Sequence, residues 1–553
     1  MGVIMGRTLA RAHSYLPVIG SSLRWLRTLA AVSLVSMRLS ADPVPPAIDP
    51  RSVVNGASRM PPSLAGGALA RGGRFSLTGV RLGPARGVEG NQADPPVKLE
   101  GVSVHIAQGQ TDVAAGMLFV SAERIEGLIP SSAPLGPVRL TVVCDGLASE
   151  PYSLTLVDSS FGFFTAETAP AALPEARRPI QAAPGETVTL WGAGLGDAAP
   201  QILVGGKSAG AVHTREESCC KGVDRIEFRI PADAPQGCYV PVQASAAGRP
   251  SNVIGIAIHP VGQVCQDQVG WFRDAVQHAA QAGLVVLARI SLDAPASAGS
   301  KGGYQFDYAA ASFGKQPSGG LLLLPSLPPI GACTVITRRV NLGQMLAEAR
   351  APESKGLDAG ASISVVGPGG RRLLGGDARR PDFYRALLGG ELPFGHVPRT
   401  PLYLRPGVYT LTSPGGRDVG PFTARVETQR PIRWKNRDRL PEVRRAAGVT
   451  VEWKEASQEN AVLIAAASSD RVTGDSALCL CMAYAKDRRF TIPPISLDNL
   501  PPTADDAPEP SFLLLSELPI APPARIQARG LGSDGTAAFA AFLSVTARFV
   551  RFR

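Results

Sequence analysis

An internal repeat in the first half of the chain constrains the fold more than any other feature. Residues 124–136 (RIEGLIPSSAPLG) match residues 225–237 (RIEFRIPADAPQG) at eight of thirteen positions without a gap. Each copy is followed by a segment in which apolar and polar residues alternate, at 138–143 and 239–244, and then by a turn and another apolar segment. A period of two places one face of a strand on a core. The repeat therefore predicts two units with the same β architecture.

Composition agrees with a chain of short strands joined by turns. The 553 residues include 60 Gly and 49 Pro, which favour turns, while the 44% hydrophobic content is too high for a disordered chain. Two units of roughly 80 to 110 residues with frequent turn signals predict β-sandwiches. The fold class predicted from the sequence is mostly β, with tandem sandwiches followed by further β-rich regions.

Short motifs in both units resemble known Ig-like families. The second unit carries APGETV, GAGLG, VGG and GCYVPV at 183–188, 192–196, 204–206 and 237–242, and it resembles an IPT/TIG-type Ig-like domain. The first unit, from VVNGAS at 53–58 to FGFFT at 161–165, is similar to the Ig-like C-terminal domain of secreted acidobacterial proteins. The resemblance covers about residues 52–260. It implies Ig-like sandwiches in an extracytoplasmic protein and brings no family-wide catalytic residues.

The predicted organisation begins with an export signal. Arg24 and Arg27 precede an apolar run at 28–37, and Leu39-Ser40-Ala41 is a small-residue cleavage context, so we predict a signal peptide over 1–41. The apolar run is too short for a bilayer, which needs about 20 residues. We expect a secreted or cell-envelope protein, with no transmembrane span after the signal segment. The predicted domains are sandwiches at 42–166 and 178–260, a β unit at 261–350 and a β-rich domain at 351–553.

A short helix is predicted near 266–283, with Gly283 as its C-cap. From residue 285 onward the pattern returns to strands. A break near 345–358 is expected to separate two further β units.

The cysteines are compatible with a few disulfides in an oxidising compartment. Either Cys219 or Cys220 is a candidate to pair with Cys238, and free buried thiols are the alternative. Cys265 and Cys333 are candidates to close a loop, whereas Cys479 and Cys481 share one face of a predicted strand.

No motif gathers a catalytic, cofactor or metal site. The segment GKSAG at 206–210 fits the pattern of a hydrolase nucleophile elbow, but its flanks predict a hairpin rather than a strand followed by a helix. The histidines are scattered without metal-ligand spacing: His13, His105, His213, His259, His278 and His396.

One basic segment is a candidate polyanion patch because it interleaves cations with an aromatic residue. Its members are Arg430, Arg433, Trp434, Lys435, Arg437, Arg439, Arg444 and Arg445. Asp438 and Glu442 interrupt it, so a solvated, partly self-neutralised loop is the alternative. For an exported protein, an anionic polysaccharide or lipid surface is the expected target, not nucleic acid.

Two functional hypotheses follow. The first is a non-catalytic exported protein that acts as a surface scaffold, adhesion or ligand-binding module, with an extracellular polysaccharide or a surface protein as partner. The alternative is an extracytoplasmic, carbohydrate-active enzyme whose catalytic domain lies in 261–553. Such an enzyme needs two carboxylates at a separation of about 5–9 Å.

Overall fold

The computed structural model describes residues 44–216, 219–273, 281–293, 303–314, 327–348, 356–377, 380–392, 399–505, 511–531 and 538–553. The predicted signal peptide at 1–41 lies outside these residues. All elements below belong to one compact unit, Pro45–Arg553. Among the described helices, none has the length and apolar character needed to cross a membrane.

The first sandwich contains strands β1 to β12. They are β1 (Ala47–Ile48), β2 (Val54–Asn55), β3 (Leu69–Ala70), β4 (Arg74–Val80), β5 (Val88–Glu89), β6 (Val102–Gln108), β7 (Thr111–Ala114), β8 (Gly116–Val120), β9 (Arg124–Leu128), β10 (Gly136–Cys144), β11 (Leu147–Ala148) and β12 (Tyr152–Val157). One sheet has the order β1-β4-β9-β8-β5 with β2 on β4, and the other has the order β3-β12-β10-β6-β7 with β11 on β10. Alternate residues of both sheets form one core that includes Leu77, Ile125, Val104 and Leu140.

The second sandwich contains strands β13 to β21. They are β13 (Gly162–Phe163), β14 (Gln181–Ala182), β15 (Thr187–Ala193), β16 (Gln201–Val204), β17 (Lys207–Ala209), β18 (Ala211–Glu216), β19 (Val223–Arg229), β20 (Gly237–Ala246) and β21 (Arg249–Ile258). The sheets have the orders β13-β15-β19-β18 and β14-β21-β20-β16-β17. Leu190, Ile226, Val242 and Ile256 meet in the core between them.

The sequence repeat corresponds to equivalent structure in the two sandwiches. β9 pairs with β4 in the first sandwich, and β19 pairs with β15 in the second. Matching positions are buried alike: Ile125 and Ile226 are inaccessible, and both Ile129 and Ile230 are 1% exposed. The prediction of a mostly β fold with tandem Ig-like sandwiches is confirmed.

The remaining strands are β22 to β39. They are β22 (Ala282–Asp293), β23 (Gly303–Gly314), β24 (Cys333–Arg338), β25 (Ser362–Gly367), β26 (Gly370–Asp377), β27 (Arg380–Gly390), β28 (Gly407–Ser413), β29 (Phe422–Thr428), β30 (Arg433–Trp434), β31 (Glu442–Val443), β32 (Val449–Lys454), β33 (Asn460–Ser469), β34 (Ser476–Tyr484), β35 (Arg489–Ile492), β36 (Phe512–Pro519), β37 (Ala524–Arg525), β38 (Ala538–Phe549) and β39 (Arg551–Phe552).

Most of these strands form one 13-stranded sheet of order β24-β34-β33-β36-β38-β22-β23-β27-β26-β25-β28-β29, with β37 on β38. β22 runs parallel to β38, so the first and last long strands of this region are neighbours. Strands from both sides of residue 350 are interleaved in the sheet. The large sheet therefore continues across the predicted boundary near residue 350. The sequence pattern did not reveal this, because paired strands such as β22 and β38 lie more than 200 residues apart and leave no local signal.

The centre of this sheet is covered on both faces. In β34, Cys479 and Cys481 contact one core cluster, whereas Leu478, Leu480 and Met482 contact another. Burial on both faces explains why β33 and β34 are continuous apolar runs rather than alternating ones.

The described helices are short. They are α1 (Gly270–Arg273), α2 (Leu342–Glu348) and α3 (Pro494–Asp498), with 3-10 turns at Pro174–Arg177, Arg437–Arg439, Arg445–Ala447 and Ala485–Asp487. α1 lies within the predicted helix at 266–283, of which 274–280 is outside the described residues. Gly283 is not a helix cap: it lies in β22 between Phe313 and Ala538, where a Cβ would meet the Phe313 ring at 2.5 Å.

Candidate functional site

The two sandwiches and the large sheet meet around a cleft of about 660 Å³, which we call the junction cleft. This volume lies in the range of small-ligand sites, about 300–1,000 Å³. The first sandwich contributes Ser52, Val54, Ser58, Arg59, Pro61, Ser76, Thr78 and Arg124. The second contributes Tyr239, Pro241, Ser251, Asn252, Val253, Ile254 and Gly255, and the C-terminal region contributes Thr334, Val335, Ile336, Thr337, Arg338, Arg339 and Asn499.

Two of the walls are sheet edges. β24 is the terminal strand of the large sheet, so the side facing away from β34 borders the cleft. β21 pairs with β14 through Ala257 and Ile258, which leaves residues 251–255 beyond that pairing. Edge strands place backbone polar groups beside the space they border.

Partly buried contacts hold the first sandwich against the large sheet. Arg51 Nη1 donates to Asp475 Oδ1 at 2.8 Å, and Ser63 Oγ donates to Asp475 Oδ2 at 2.6 Å. The Asp475 side chain is 1% exposed, whereas that of Arg51 is 42% exposed. Because Asp475 precedes β34, this ion pair ties the first sandwich to the sheet that carries β24.

The sandwiches are also fastened to each other. Asn55 Nδ2 donates to the carbonyls of Ser160 and Ala193, both at 3.1 Å. At Gly66 the backbones of the two sandwiches approach so closely that a Cβ on this residue would lie 2.1 Å from the Pro250 carbonyl oxygen. The junction cleft therefore has walls fixed by specific contacts.

The cleft is strongly basic. Four arginines line it (Arg59, Arg124, Arg338 and Arg339), and no aspartate or glutamate is among its described lining residues. Glu126 lies just outside the lining, 3.4 Å from Arg59 Nη2 and 3.5 Å from Arg124 Nε. Asp475 is also near Arg339, together with its partner Arg51, so two carboxylates lie beside five guanidinium groups and the net charge is positive.

Arg339 is the least satisfied of these cations. It forms no hydrogen bond or ion pair with any residue in the described ranges. Burial lowers the pKa of Arg339, the nearby Arg51 and Arg59 lower it further, and Asp475 and Tyr152 raise it. An anion bound beside Arg339 would stabilise its charged form.

Polar side chains alternate with aliphatic ones along the cleft. Hydroxyl groups come from Ser52, Ser58, Ser76, Thr78, Ser251, Thr334 and Thr337, and aliphatic contacts come from Val253, Ile254 and Ile336. Asn499 is 2% exposed, and its Oδ1 accepts no hydrogen bond from the described residues. This lining suits a ligand with hydroxyl groups, C–H surfaces and negative charge.

A smaller groove of about 310 Å³ adjoins the cleft, which we call the Trp191 groove. It is lined by Phe164, Thr165, Ala166, Ala176, Arg177, Arg178, Pro179, Ile180, Leu190, Trp191, Val253, Ile254, Gly255 and Ile256. Val253, Ile254 and Gly255 line both spaces, so the two are neighbours along β21.

The predicted polyanion patch contributes no residue to the described lining of the cleft, and its aromatic member is buried. Trp434 is 6% exposed and its Nε1 donates to Asn436 Oδ1 at 3.0 Å, so the indole faces the core. Its alternation with exposed Arg433 and Lys435 reflects strand geometry. Trp434 therefore presents no exposed aromatic surface beside the arginines of this segment.

Acidic residues neutralise several cations of this patch. Lys435 and Arg439 lie 3.8 and 3.7 Å from Glu452. Arg437 lies 3.4 Å from Asp293. Arg445 donates to the Leu500 carbonyl at 2.9 Å, while Arg430, Arg433 and Arg444 are exposed. The contacts favour the alternative of a partly neutralised loop.

The cysteines pair differently from the predicted candidates. Disulfides join Cys219 to Cys220, Cys238 to Cys265, and Cys333 to Cys481. Neither Cys219 nor Cys220 reaches Cys238, and Cys265 does not pair with Cys333. Cys333 lies directly opposite Cys481 in the β24–β34 register, a long-range pairing that spacing does not reveal.

Cys479 is a buried free thiol beside one of these disulfides. Its sulfur lies 3.7 Å from that of Cys481, and burial raises the pKa of Cys479 to about 12. Cys333, Cys479 and Cys481 place three sulfurs within 4.8 Å. Two of them share a disulfide, so they do not act as thiolate metal ligands in this state.

The GKSAG segment forms the predicted hairpin. β16 and β17 pair across a turn at Gly205 and Gly206, which places Ser208 opposite Leu203. The chain continues into β18 rather than a helix. Ser208 therefore lacks the strand-to-helix turn of a nucleophile elbow.

Three of the described histidines make polar contacts outside the cleft, and one of them, His259, has its Nδ1 3.0 Å from the Pro260 carbonyl oxygen. His213 Nε2 lies 3.0 Å from Asp224 Oδ1. His105 lies 3.2 Å from Ser103 Oγ and 3.3 Å from Asp112 Oδ1, on the exposed β6–β7 hairpin. The His105 and Asp112 side chains are 38% and 58% exposed. The sequence-based search missed this grouping, which has the residue types of a catalytic triad but lies at an exposed position.

The similar proteins described below are solved structures of low sequence identity to this chain. The chain matches no protein-family profile and no curated protein. A glucan-utilisation SGBP-B from Bacteroides ovatus, in complex with a mixed-linkage heptasaccharide, is similar at 12% identity and a TM-score of 0.13, over 78% of this chain and 82% of that one. An SGBP-B from a xyloglucan utilisation locus of Bacteroides uniformis is similar at 14% identity and a TM-score of 0.15, over 62% and 85%. The titin Ig tandem A164-A165 is similar at 12% identity and a TM-score of 0.13, over 35% and 90%.

The fold itself defines the class: a β-rich protein with tandem Ig-like sandwiches, joined to a large mixed sheet.

Proposed function

We propose that this protein is an extracytoplasmic, non-catalytic glycan-binding protein whose junction cleft binds an acidic polysaccharide. The observation that carries the proposal is the set of four arginines lining a cleft that has no carboxylate among its described lining residues. The predicted signal peptide at 1–41 supports an extracytoplasmic location.

Arginine is the side chain best suited to the acidic groups of such a ligand. Its planar guanidinium binds a carboxylate or sulfate through two parallel hydrogen bonds. Arg338 and Arg339 follow one another at the end of β24, and Arg59 approaches from the first sandwich. Cations on separate walls can contact acidic groups on successive sugar units.

The neutral lining favours a glycan over an acidic peptide. Sugar hydroxyls both donate and accept hydrogen bonds, as do the serine and threonine hydroxyls of the cleft. The aliphatic Val253, which packs toward the C-terminal region, offers surface to the C–H face of a pyranose ring. An acidic peptide is the competing ligand in the test below.

We also propose the finer domain assignments as working boundaries. These are Ig-like sandwiches over 42–166 and 178–260, the first related to acidobacterial Ig-like C-terminal domains and the second of IPT/TIG type, except that β13 (Gly162–Phe163) joins a sheet of the second sandwich. In this arrangement each sandwich supplies one wall of the binding site, so the sandwiches are more than spacers.

Isothermal titration calorimetry tests the proposal. Oligogalacturonate is titrated into the wild-type protein and into an Arg59→Ala/Arg339→Ala variant, with Arg430→Ala/Arg433→Ala as a control of equal charge. Each lost arginine–carboxylate contact is worth roughly 1.5–3 kcal/mol, so the cleft variant should bind at least about tenfold more weakly. The control should bind like wild type.

Three outcomes would contradict the proposal. One is equal affinity of wild type and the cleft variant, and another is loss of binding in the control variant instead. The third is stronger binding of poly-glutamate than of oligogalacturonate. Release of new reducing ends during the titration would favour the enzyme hypothesis.

A further inference from the structure

We infer that the ligand is a chain long enough to leave the junction cleft, pass along β21 and occupy the Trp191 groove. This inference rests on the proposed function and adds a second subsite to it. Three consecutive residues, Val253, Ile254 and Gly255, line both spaces. A linear polymer that contacts this part of β21 in the cleft is therefore already at the border of the groove.

The strand geometry of β15 places an aromatic side chain in this groove. Leu190 is 2% exposed in the core of the second sandwich, so its neighbour Trp191 lies on the opposite face of the sheet. The indole is half-buried, and its N–H donates no hydrogen bond to the described residues. An indole offers apolar surface to a sugar ring and a free N–H to a sugar hydroxyl.

Positive charge continues from the cleft into the groove. Arg178 is exposed and forms no ion pair with the described part of the chain. Arg177 is held in place by the Ala169 carbonyl, which accepts from its Nη2 at 2.7 Å. An acidic glycan would therefore find cations in both spaces, whereas the sugar rings would pack on Trp191 and Ile254.

The inference predicts that affinity depends on chain length. A short acidic oligosaccharide fills the cleft alone, and a longer one adds the contacts of the groove. Replacement of groove residues should weaken binding of the long ligand and leave that of the short one unchanged.

The experiment titrates a galacturonate trimer and a decamer into wild type, Trp191→Ala and Arg178→Ala. We expect the decamer to bind wild type at least about fivefold more tightly than the trimer, and each variant to lose most of that gain. Arg178 is exposed, so its variant remains informative if removal of the half-buried indole disturbs folding. Arg430→Ala serves as the control.

The outcomes separate this inference from the proposed function. The second subsite is refuted if trimer and decamer bind wild type equally, or if both groove variants keep the full gain in affinity from trimer to decamer. Neither result contradicts the proposal that the cleft binds an acidic glycan. If neither ligand binds wild type, the proposed function fails as well. Equal weakening of both ligands by Arg178→Ala also refutes a subsite used only by long chains.

Discussion

Removal of the Cys333–Cys481 disulfide should destabilise the protein more than removal of Cys238–Cys265. A disulfide stabilises mainly by restricting the unfolded chain, and its effect grows with the length of the closed loop. The two bonds close loops of 148 and 27 residues. The chain-entropy relation then gives losses of about 5 and about 3.5 kcal/mol, a difference of about 1.5 kcal/mol.

The position of the longer bridge gives it a second role. Cys333 is the first residue of β24, a six-residue strand at the end of the large sheet and a wall of the junction cleft. Without the bond, β24 is held on β34 by its ladder and side-chain packing. The loss of stability should therefore be accompanied by weaker binding in the cleft.

Urea unfolding of Cys333→Ala/Cys481→Ala and Cys238→Ala/Cys265→Ala, followed by tryptophan fluorescence, measures the two losses. Both cysteines of each pair are replaced, because the Cys479 thiol lies 3.7 Å from Cys481 and a single variant invites a new pairing. Equal losses, or a larger loss for the shorter loop, would refute the reasoning.

Two further predictions concern buried carboxylates. Asp475→Asn should lower the free energy of unfolding by about 1.5–3 kcal/mol, because the hydrogen bonds that Arg51 and Ser63 donate to the carboxylate are weakened. The control Asp505→Asn removes an exposed ion pair and should leave the free energy of unfolding nearly unchanged. Urea titration of both variants compares them, and a similar loss in each would contradict a special role for the buried pair. Burial raises the pKa of Glu517 above its ordinary value of 4.5, so the folded protein binds the carboxyl proton more tightly than the unfolded chain does. The stability of the fold should therefore fall as pH rises from 4.5 through the folded-state pKa. Glu517→Gln should remove that part of the decline in a pH series of melting temperatures, and an unchanged slope would show that Glu517 does not cause it.

The sequence predicts the local parts of the fold well. The repeat places Ile125 and Ile226 at equivalent buried positions because a duplicated strand pattern needs the same core contacts. The return to strands predicted from residue 285 onward is present in the structure, for example as β22, β23 and β34. In each case the signal comes from neighbouring residues.

The candidate site is not predictable in this way. Arg59 and Arg124 of the first sandwich meet Arg338 and Arg339 at the end of β24 only when that sandwich packs against the large sheet. A search for basic clusters along the sequence finds 430–445 instead, where strand alternation buries Trp434. Of the cleft arginines, only Arg338 and Arg339 are adjacent in the sequence. Two consecutive arginines are common in proteins and do not by themselves identify a binding site.

Hydrogen–deuterium exchange with and without an acidic oligosaccharide tests the location of binding most directly. If the junction cleft is the site, added oligogalacturonate should slow exchange at residues 52–61, 251–255 and 334–339 together, because these segments line its three walls. Protection confined to 430–445, or no change in the three segments at a ligand concentration that saturates binding, would contradict the account.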